Sequence, residues 1–311
     1  MQGLKIIFLG AGDFSTKVFE EFIKKYELVS VITPLDKEIG RGHQFKPCLL
    51  KSAALEKGVN VQQFNKVSKE GIDYLKSVQP DLLITAAFGQ ILSDELLAIP
   101  KYGVFNVHAS LLPKYRGASP IQAAIINGEK ETGITIMKTV KELDAGDIIL
   151  QDKILIDDQT TSEVLFDKLA QLGSKLLIKA VDNLIDGTIT YTKQVGWDGT
   201  YCTMIKKTDG IIDFNKTFDQ LDCFVRGMYG WPFAQTQIKD KKFKIYKISK
   251  VNDLVENEIG TIVAADNKEG ILVQCKDSVI SLDIVQAENS KMMESKAFMN
   301  GCRDNLVGEK L

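Results

Sequence analysis

Three side chains in this sequence could act together on a carbonyl. Asn106 and His108 stand two residues apart at the end of an apolar run, Tyr102 to Val107, and Asp144 lies in the turn-like stretch Leu-Asp-Ala-Gly-Asp. Side chains at i and i+2 of a strand share a face, so the carboxamide and the imidazole should point the same way. An amide and a protonated imidazole can stabilise an oxyanion. A carboxylate can orient the imidazole, favour its charged form, or take a proton from an attacking amine. No activated serine or cysteine nucleophile stands beside them. The alternative reading is a histidine that anchors the Pro- and Gly-rich loop after it.

The elements that must position these groups follow from periodicity. Lys5 to Gly10, Leu28 to Thr33, Val59 to Val61, Asp81 to Ala87 and Tyr102 to Val107 are short apolar runs of the kind buried in parallel sheets. Between them come helical patterns: Asp13 to Lys25, Leu49 to Lys57 and Lys69 to Val78, with Ser93 as the N-cap of a short helix. Ser119 and Pro120 read as N-cap and first residue of a helix to Asn127. Strands at Ile134 to Met137 and Ile148 to Ile156 precede a long helix, Thr160 to Ile185. The alternation predicts an α/β domain with a doubly wound, mostly parallel, Rossmann-like sheet over residues 1–189. Ligands of such sheets sit at the carboxyl ends of the strands, where Asn106 and His108 lie.

The texture changes near Tyr191. After a linker at 190–206, short strand-like runs at Ile211 to Phe214, Phe243 to Ile248, Ile259 to Val263, Ile271 to Cys275 and Val279 to Val285 predict a small OB-like β-barrel over 207–311. Residues 206–250 hold ten Lys/Arg against five Asp/Glu in a chain of net charge −2. Trp231, Phe233, Phe243 and Tyr246 are interleaved with these charges. A basic barrel of this kind fits nucleic acid; a solvated face over an aromatic core is the competing reading.

Other signals are weaker. Gly10-Ala-Gly12 after the first strand suggests a dinucleotide turn, but Ser15 stands where the third glycine belongs and Asp36 sits in a loop. A tight strand-to-helix turn is the simpler reading. Arg41, between two glycines, could contact phosphate, whereas His43 reads as surface. The five cysteines (48, 202, 223, 275, 302) are irregularly spaced, and neither a disulfide scaffold nor a metal site is expected. No apolar run reaches the ~18 residues of a membrane span, and the N-terminal apolar stretch is too short for a secretory signal. A cytoplasmic protein is expected.

Asn106-Val-His108 followed by Ser-Leu-Leu-Pro-Lys-Tyr-Arg-Gly-Ala-Ser-Pro-Ile resembles the signature of the folate-dependent formyltransferases, and Thr132 to Met137 through Leu143 to Asp147 resembles their second signature. The likeness runs along the whole chain to the tRNA-acting branch, through the Gly-Arg-Gly loop, Tyr201 to Phe214 and Gly230-Trp-Pro232. It implies transfer of formyl from 10-formyltetrahydrofolate to the α-amine of methionine on initiator tRNA, by a monomer. It implies that Asn106 and His108 hold the oxyanion, that His108 donates to the departing N10, and that Asp144 holds His108 and assists deprotonation of the amine. Folate would lie along Phe88, Gly89, Gln90, Ile91 and Leu92, and along Ser110, Leu111, Leu112 and Pro113. Phe14 would face the methionyl group, and Arg41, Lys206 and Lys207 the tRNA, with Arg41 at the acceptor stem. Departures are Gly-Ala-Gly before Asp13-Phe14, where Thr-Pro is usual, and His43-Gln44, where a basic pair is usual; they bear on tRNA contacts rather than on the chemistry. A sugar-nucleotide N-formyltransferase and a catalytically silent RNA-binding protein on the same fold remain the alternatives.

Overall fold

Seven strands make the first sheet: β1 (Ile6–Gly10), β2 (Ser30–Thr33), β3 (Val61–Gln63), β4 (Leu82–Ala86), β5 (Val104–His108), β6 (Glu131–Lys138) and β7 (Ile148–Leu155). Their spatial order is β7-β6-β5-β4-β1-β2-β3. The structure, a computed structural model, describes residues 3–39, 44–197, 201–239 and 241–311. Arg41 and His43 therefore lie outside the described residues.

Strands β1 to β5 pair in parallel, while β6 and β7 run antiparallel to their neighbours. Both β1 and β4 are buried at every position, which is why they read as continuous apolar runs. Helices α1 (Asp13–Phe22), α2 (Leu49–Glu56) and α3 (Ile72–Val78) connect the parallel strands. Phe8, Phe19, Phe22 and Phe105 are fully buried; burying each such side chain contributes about 1.5–3 kcal/mol. From β1 the chain goes first to β2 and β3, then returns to β4 and β5 on the other side. Ligand crevices of open α/β sheets form at such reversals, beyond the carboxyl ends of the strands, and β5 ends there in His108.

The turn after β1 is closed by the chain itself. Ser15 Oγ donates to the Gly12 carbonyl at 2.7 Å and accepts from Ala11 N at 2.9 Å. Asp36 is committed to Lys51 Nζ (2.7 Å) and Gln63 Nε2 (2.8 Å). These contacts support the tight-turn reading of the two glycines over a dinucleotide site.

The described residues pack as two compact units, one of Met1–Pro120, Glu131–Leu155 and Phe166–Thr203, the other of Ile121–Lys130, Ile156–Leu165 and Met204–Leu311. The second unit carries an all-antiparallel sheet of β8 (Ala234–Ile238), β9 (Lys241–Asn252), β10 (Ile262–Asp266), β11 (Gly270–Gln274), β12 (Val279–Ala287) and β13 (Met293–Glu294). Its core gathers Phe243, Ile245, Ile271, Ile280, Leu282 and Val285 with helix residues Leu221 and Val225.

Two local expectations differ. Ile211 to Phe214 is not a strand; Ile211 makes a single bridge to Gln235, and a helix, Phe218–Gly227, follows. Its start is a capping box: Thr217 Oγ1 accepts from Gln220 N, and Gln220 Oε1 accepts from Thr217 N. The loop after β2 contains a short antiparallel ribbon, Lys37–Ile39 with Gln44–Lys46. The polar composition of these three-residue strands hides them from periodicity.

Candidate active site

Asn106 and His108 sit on β5, and its register aligns Thr85 of β4 with Asn106 and Thr135 of β6 with His108. Thr85 Oγ1 donates to Asn106 Oδ1 at 2.9 Å. That bond orients the carboxamide. Its Nδ2 has no acceptor among the described residues and is not among the buried unsatisfied atoms, so it remains available as a donor.

His108 is almost fully buried, at 5% exposure. Its Nε2 lies 2.9 Å from the Tyr115 carbonyl. A carbonyl only accepts, so Nε2 carries the hydrogen. Nδ1 faces Asp144 Oδ2 at 3.7 Å, beyond a hydrogen bond but within ion-pair distance whenever the ring is protonated. The same Oδ2 accepts the Gly117 backbone N–H at 2.8 Å. Asp144 Oδ1 has no donor among the described residues. The site therefore presents one free donor, on Asn106, and one free acceptor, on Asp144, around an imidazole whose orientation is fixed.

The loop between β5 and the next helix is built for this. Thr135 Oγ1 donates to the Ser110 carbonyl (2.7 Å) and accepts from Leu112 N (3.1 Å) and Gln151 Nε2 (2.8 Å). Ser110 Oγ donates to the Lys114 carbonyl at 2.7 Å. Gly117, at φ +118°, brings its N–H to Asp144, and a Cβ there would stand 2.3 Å from the Cys202 carbonyl oxygen. Only glycine fits both demands. Gly146 is fixed similarly, since a Cβ would lie 1.6 Å from the Lys138 carbonyl oxygen. Cys202 Sγ reaches the carbonyls of Tyr115 and Arg116 at 3.4 and 3.2 Å. Burial, with the nearby Asp144 charge, pushes its thiol above the ordinary cysteine value.

Asn106, His108 and Asp144 thus belong to one constellation within the first unit. The family model described as "Formyl transferase" matches residues 4–181, and "Formyl transferase, C-terminal domain" matches 204–303. The chain belongs to the formyl transferase family. It is 40% identical over 308 residues, 99% of each chain, to the methionyl-tRNA formyltransferase of Staphylococcus aureus strain MW2. Two solved structures share the fold. WlaRD, a sugar 3N-formyl transferase determined in the presence of dTDP and 5-N-formyl-THF, has a TM-score of 0.65 at 23% identity, over 94% of this chain and 100% of that one. HypX from Aquifex aeolicus in complex with tetrahydrofolic acid gives 0.61 at 15% identity, over 96% of this chain and 47% of that one.

The other expected family positions distribute unevenly. Phe88 and Leu92 are buried in a core cluster with Leu83, Leu96 and Val104. Gln90 accepts the Val67 N–H at 2.9 Å, and Ile91 is 85% exposed. Gly89 has a positive φ of 73°. Ser110 and Leu112 are buried, with Leu111 and Pro113 half-buried. Phe14 is buried edge-on against Phe166, with ring centroids 5.5 Å apart. In the second unit Lys206 and Lys207 are exposed. There Phe243 is core, whereas Phe233 and Tyr246 join Tyr229 in a ring cluster with Lys244 Nζ 4.7 Å from the Phe233 centroid. Trp231 is 54% exposed.

Sequence reasoning missed the residues that hold the constellation: Thr85, Tyr115, Arg116 and Gln194. Arg116 carried a signal, as a charged residue inside a Pro/Gly-rich signature. Thr85 is one polar residue in an apolar strand, and Gln194 had no signal. Among the described residues no group of three or more His, Cys, Asp and Glu could hold a metal, and no helix is long and apolar enough to cross a membrane.

Proposed function

We infer that this chain transfers the formyl group of 10-formyltetrahydrofolate to the α-amine of methionyl-tRNA, giving N-formylmethionyl-tRNA and tetrahydrofolate. The observation that carries this reading is the likeness to a methionyl-tRNA formyltransferase through both units, joined to an intact Asn106, His108 and Asp144.

In this reading the amine nitrogen attacks the formyl carbon, the new N–C bond forms, and the carbonyl oxygen gains charge. Asn106 Nδ2, held ready by Thr85, donates to that oxygen. His108 supports the same charge as its imidazolium, with Asp144 beside Nδ1. Asp144 Oδ1 accepts the proton that the amine sheds. Asp144 passes that proton to His108 Nδ1, and as the C–N10 bond breaks the imidazolium so formed gives a proton to N10. Backbone groups of the 110–113 loop and the edge at 88–92 hold the pterin. That loop's internal bonds leave it already shaped, which suits a flat, uncharged ring system.

The partner is initiator tRNA, engaged at its acceptor stem. Arg41 serves the acceptor end, Phe14 lies toward the methionyl group, and Lys206 and Lys207 with the basic second unit serve the backbone. Residues 1–189 act as the catalytic domain and 207–311 as the tRNA-binding domain, joined at 190–206. A cytoplasmic monomer fits this role.

The test is formyl transfer from 10-formyltetrahydrofolate with initiator Met-tRNA, elongator Met-tRNA and a dTDP-amino sugar side by side. Formylated initiator tRNA alone is the expected product. A formylated sugar, or tRNA binding without turnover, would overturn the reading.

A further inference from the structure

Gln194 lies outside both sequence signatures, yet it is bonded to the turn that carries Asp144. Its Nε2 donates to the Asp144 carbonyl and to the Gly146 carbonyl, each at 2.8 Å. Its Oε1 accepts from Arg116 Nε at 3.1 Å and from Nη2 at 2.8 Å. Carbonyls only accept and a guanidinium only donates, so this orientation of the carboxamide is the one that satisfies every partner. Both its N–H groups and both its lone pairs are used.

The turn needs such a hold. Asp144 is a non-glycine residue at φ +48°, a left-handed conformation that persists where the surroundings over-determine it. Arg116 is itself buried at 4% exposure. Its guanidinium lies 4.2 Å from the Trp197 ring centroid and 3.6 Å from Glu142 Oε1. The residue after it, Gly117, holds the Asp144 carboxylate directly. A closed ring results: the Asp144 carboxylate to Gly117, Gly117 to Arg116 through the chain, Arg116 to Gln194, and Gln194 back to the Asp144 backbone. Thr192, two residues before Gln194, exchanges both backbone hydrogen bonds with Ile148 at 2.7 and 2.8 Å, which pins the segment.

We propose that Gln194 is a positioning residue for formyl transfer, clamping the Asp144 turn so that the carboxylate keeps its place beside His108, with Arg116 as its anchor. The proposal rests on the assignment of Asp144 to the reaction.

The test is single-turnover and steady-state formyl transfer by the full chain carrying Gln194→Glu, Gln194→Ala, Asp144→Asn and the doubles of each Gln194 change with Asp144→Asn. Glu keeps the length and both acceptors for Arg116 but removes both N–H donors. Its ion pair with Arg116 should preserve the melting temperature. Ala removes donors and acceptors without adding charge. The expected result is a fall in kcat of about 10–100-fold for either Gln194 variant, the size of a modest misplacement of a reacting group. KM for both substrates should stay within about twofold, and in the Asp144→Asn background the Gln194 change should cost no more than about twofold further, as for coupled groups. Wild-type kcat in Gln194→Glu, or an equal loss with and without the Asp144 carboxylate, would overturn the clamp. Undiminished turnover in Asp144→Asn alone would instead overturn the assignment of the site.

Discussion

Gly117 donates its backbone N–H to Asp144 Oδ2 at 2.8 Å, so the carboxylate beside His108 is held by main chain rather than by a side chain. A main-chain donor has no rotamer to lose, and it holds the carboxylate only if the loop keeps its path. Gly117→Ala should therefore damage both stability and turnover. Its φ of +118° and the 2.3 Å approach to the Cys202 carbonyl leave no room for a Cβ. Strain of about 1–3 kcal/mol is expected, read as a lower melting temperature together with a reduced kcat. An unchanged melting temperature would show that the loop relaxes.

His108→Ala and Asp144→Ala should each lower kcat by about 10²–10⁴, the span for general acid–base and oxyanion groups. Single-turnover transfer with saturating folate and tRNA measures this. Near-wild-type rates in either variant would remove the residue from the chemistry.

Thr85→Val keeps the shape of the strand but deletes the donor to Asn106 Oδ1. The carboxamide is then free to turn. A loss in kcat of about tenfold is expected, smaller than for Asn106→Ala, where the oxyanion donor itself is gone. Equal losses in the two variants would mean that Thr85 does more than orient Asn106.

Arg41→Ala should raise KM for Met-tRNA while folate binding is unchanged, as expected of a phosphate contact. Its effect should shrink as salt rises, because the contact is electrostatic. Equal weakening toward both substrates would make the loop a structural element.

Asp182 on the long helix Ser162–Ile185 accepts from Tyr26 Oη and pairs with Lys25 Nζ, at 2.7 Å to Oδ2. Burial pushes its carboxyl up, but the bonds to Lys25 and Tyr26 outweigh this and hold it below the usual aspartate value. A lowered folded-state value means stability that is present above the unfolded aspartate range and is lost as pH falls through the folded one. The melting-temperature gap between wild type and Asp182→Asn should thus be largest near neutrality and close in acid. A gap independent of pH would show that the pair adds nothing through its charge.

Much of this was legible in the chain. β1 and β4 are apolar throughout because both faces of the sheet are covered, so their runs were readable without a partner in view. Ser93 caps its helix as expected, accepting from Leu96 N. Strand alternation alone pairs Asn106 with His108, and the place of Asp144 just before a further strand puts it at the same sheet edge if the strands are neighbours. The helix Phe218–Gly227 is hard to read although Thr217 and Gln220 mark its start, because the apolar run just before it has the pattern of a strand.

What only the tertiary structure decided is how the reactive groups are held. Gln194 is 50 residues from Asp144 in the chain, and Arg116 is 78 residues from Gln194. No local pattern links them, since a carboxamide in a polar connection looks the same whether it faces water or clamps two carbonyls. The division of Asn106 into a bonded oxygen and a free nitrogen depends on Thr85 in the neighbouring strand. Residue type and spacing determined which chemistry this protein can carry, because side-chain chemistry and strand alternation are local. Which of those groups are bonded and which are left free was decided by contacts between distant segments, and these exist only once the sheet has formed.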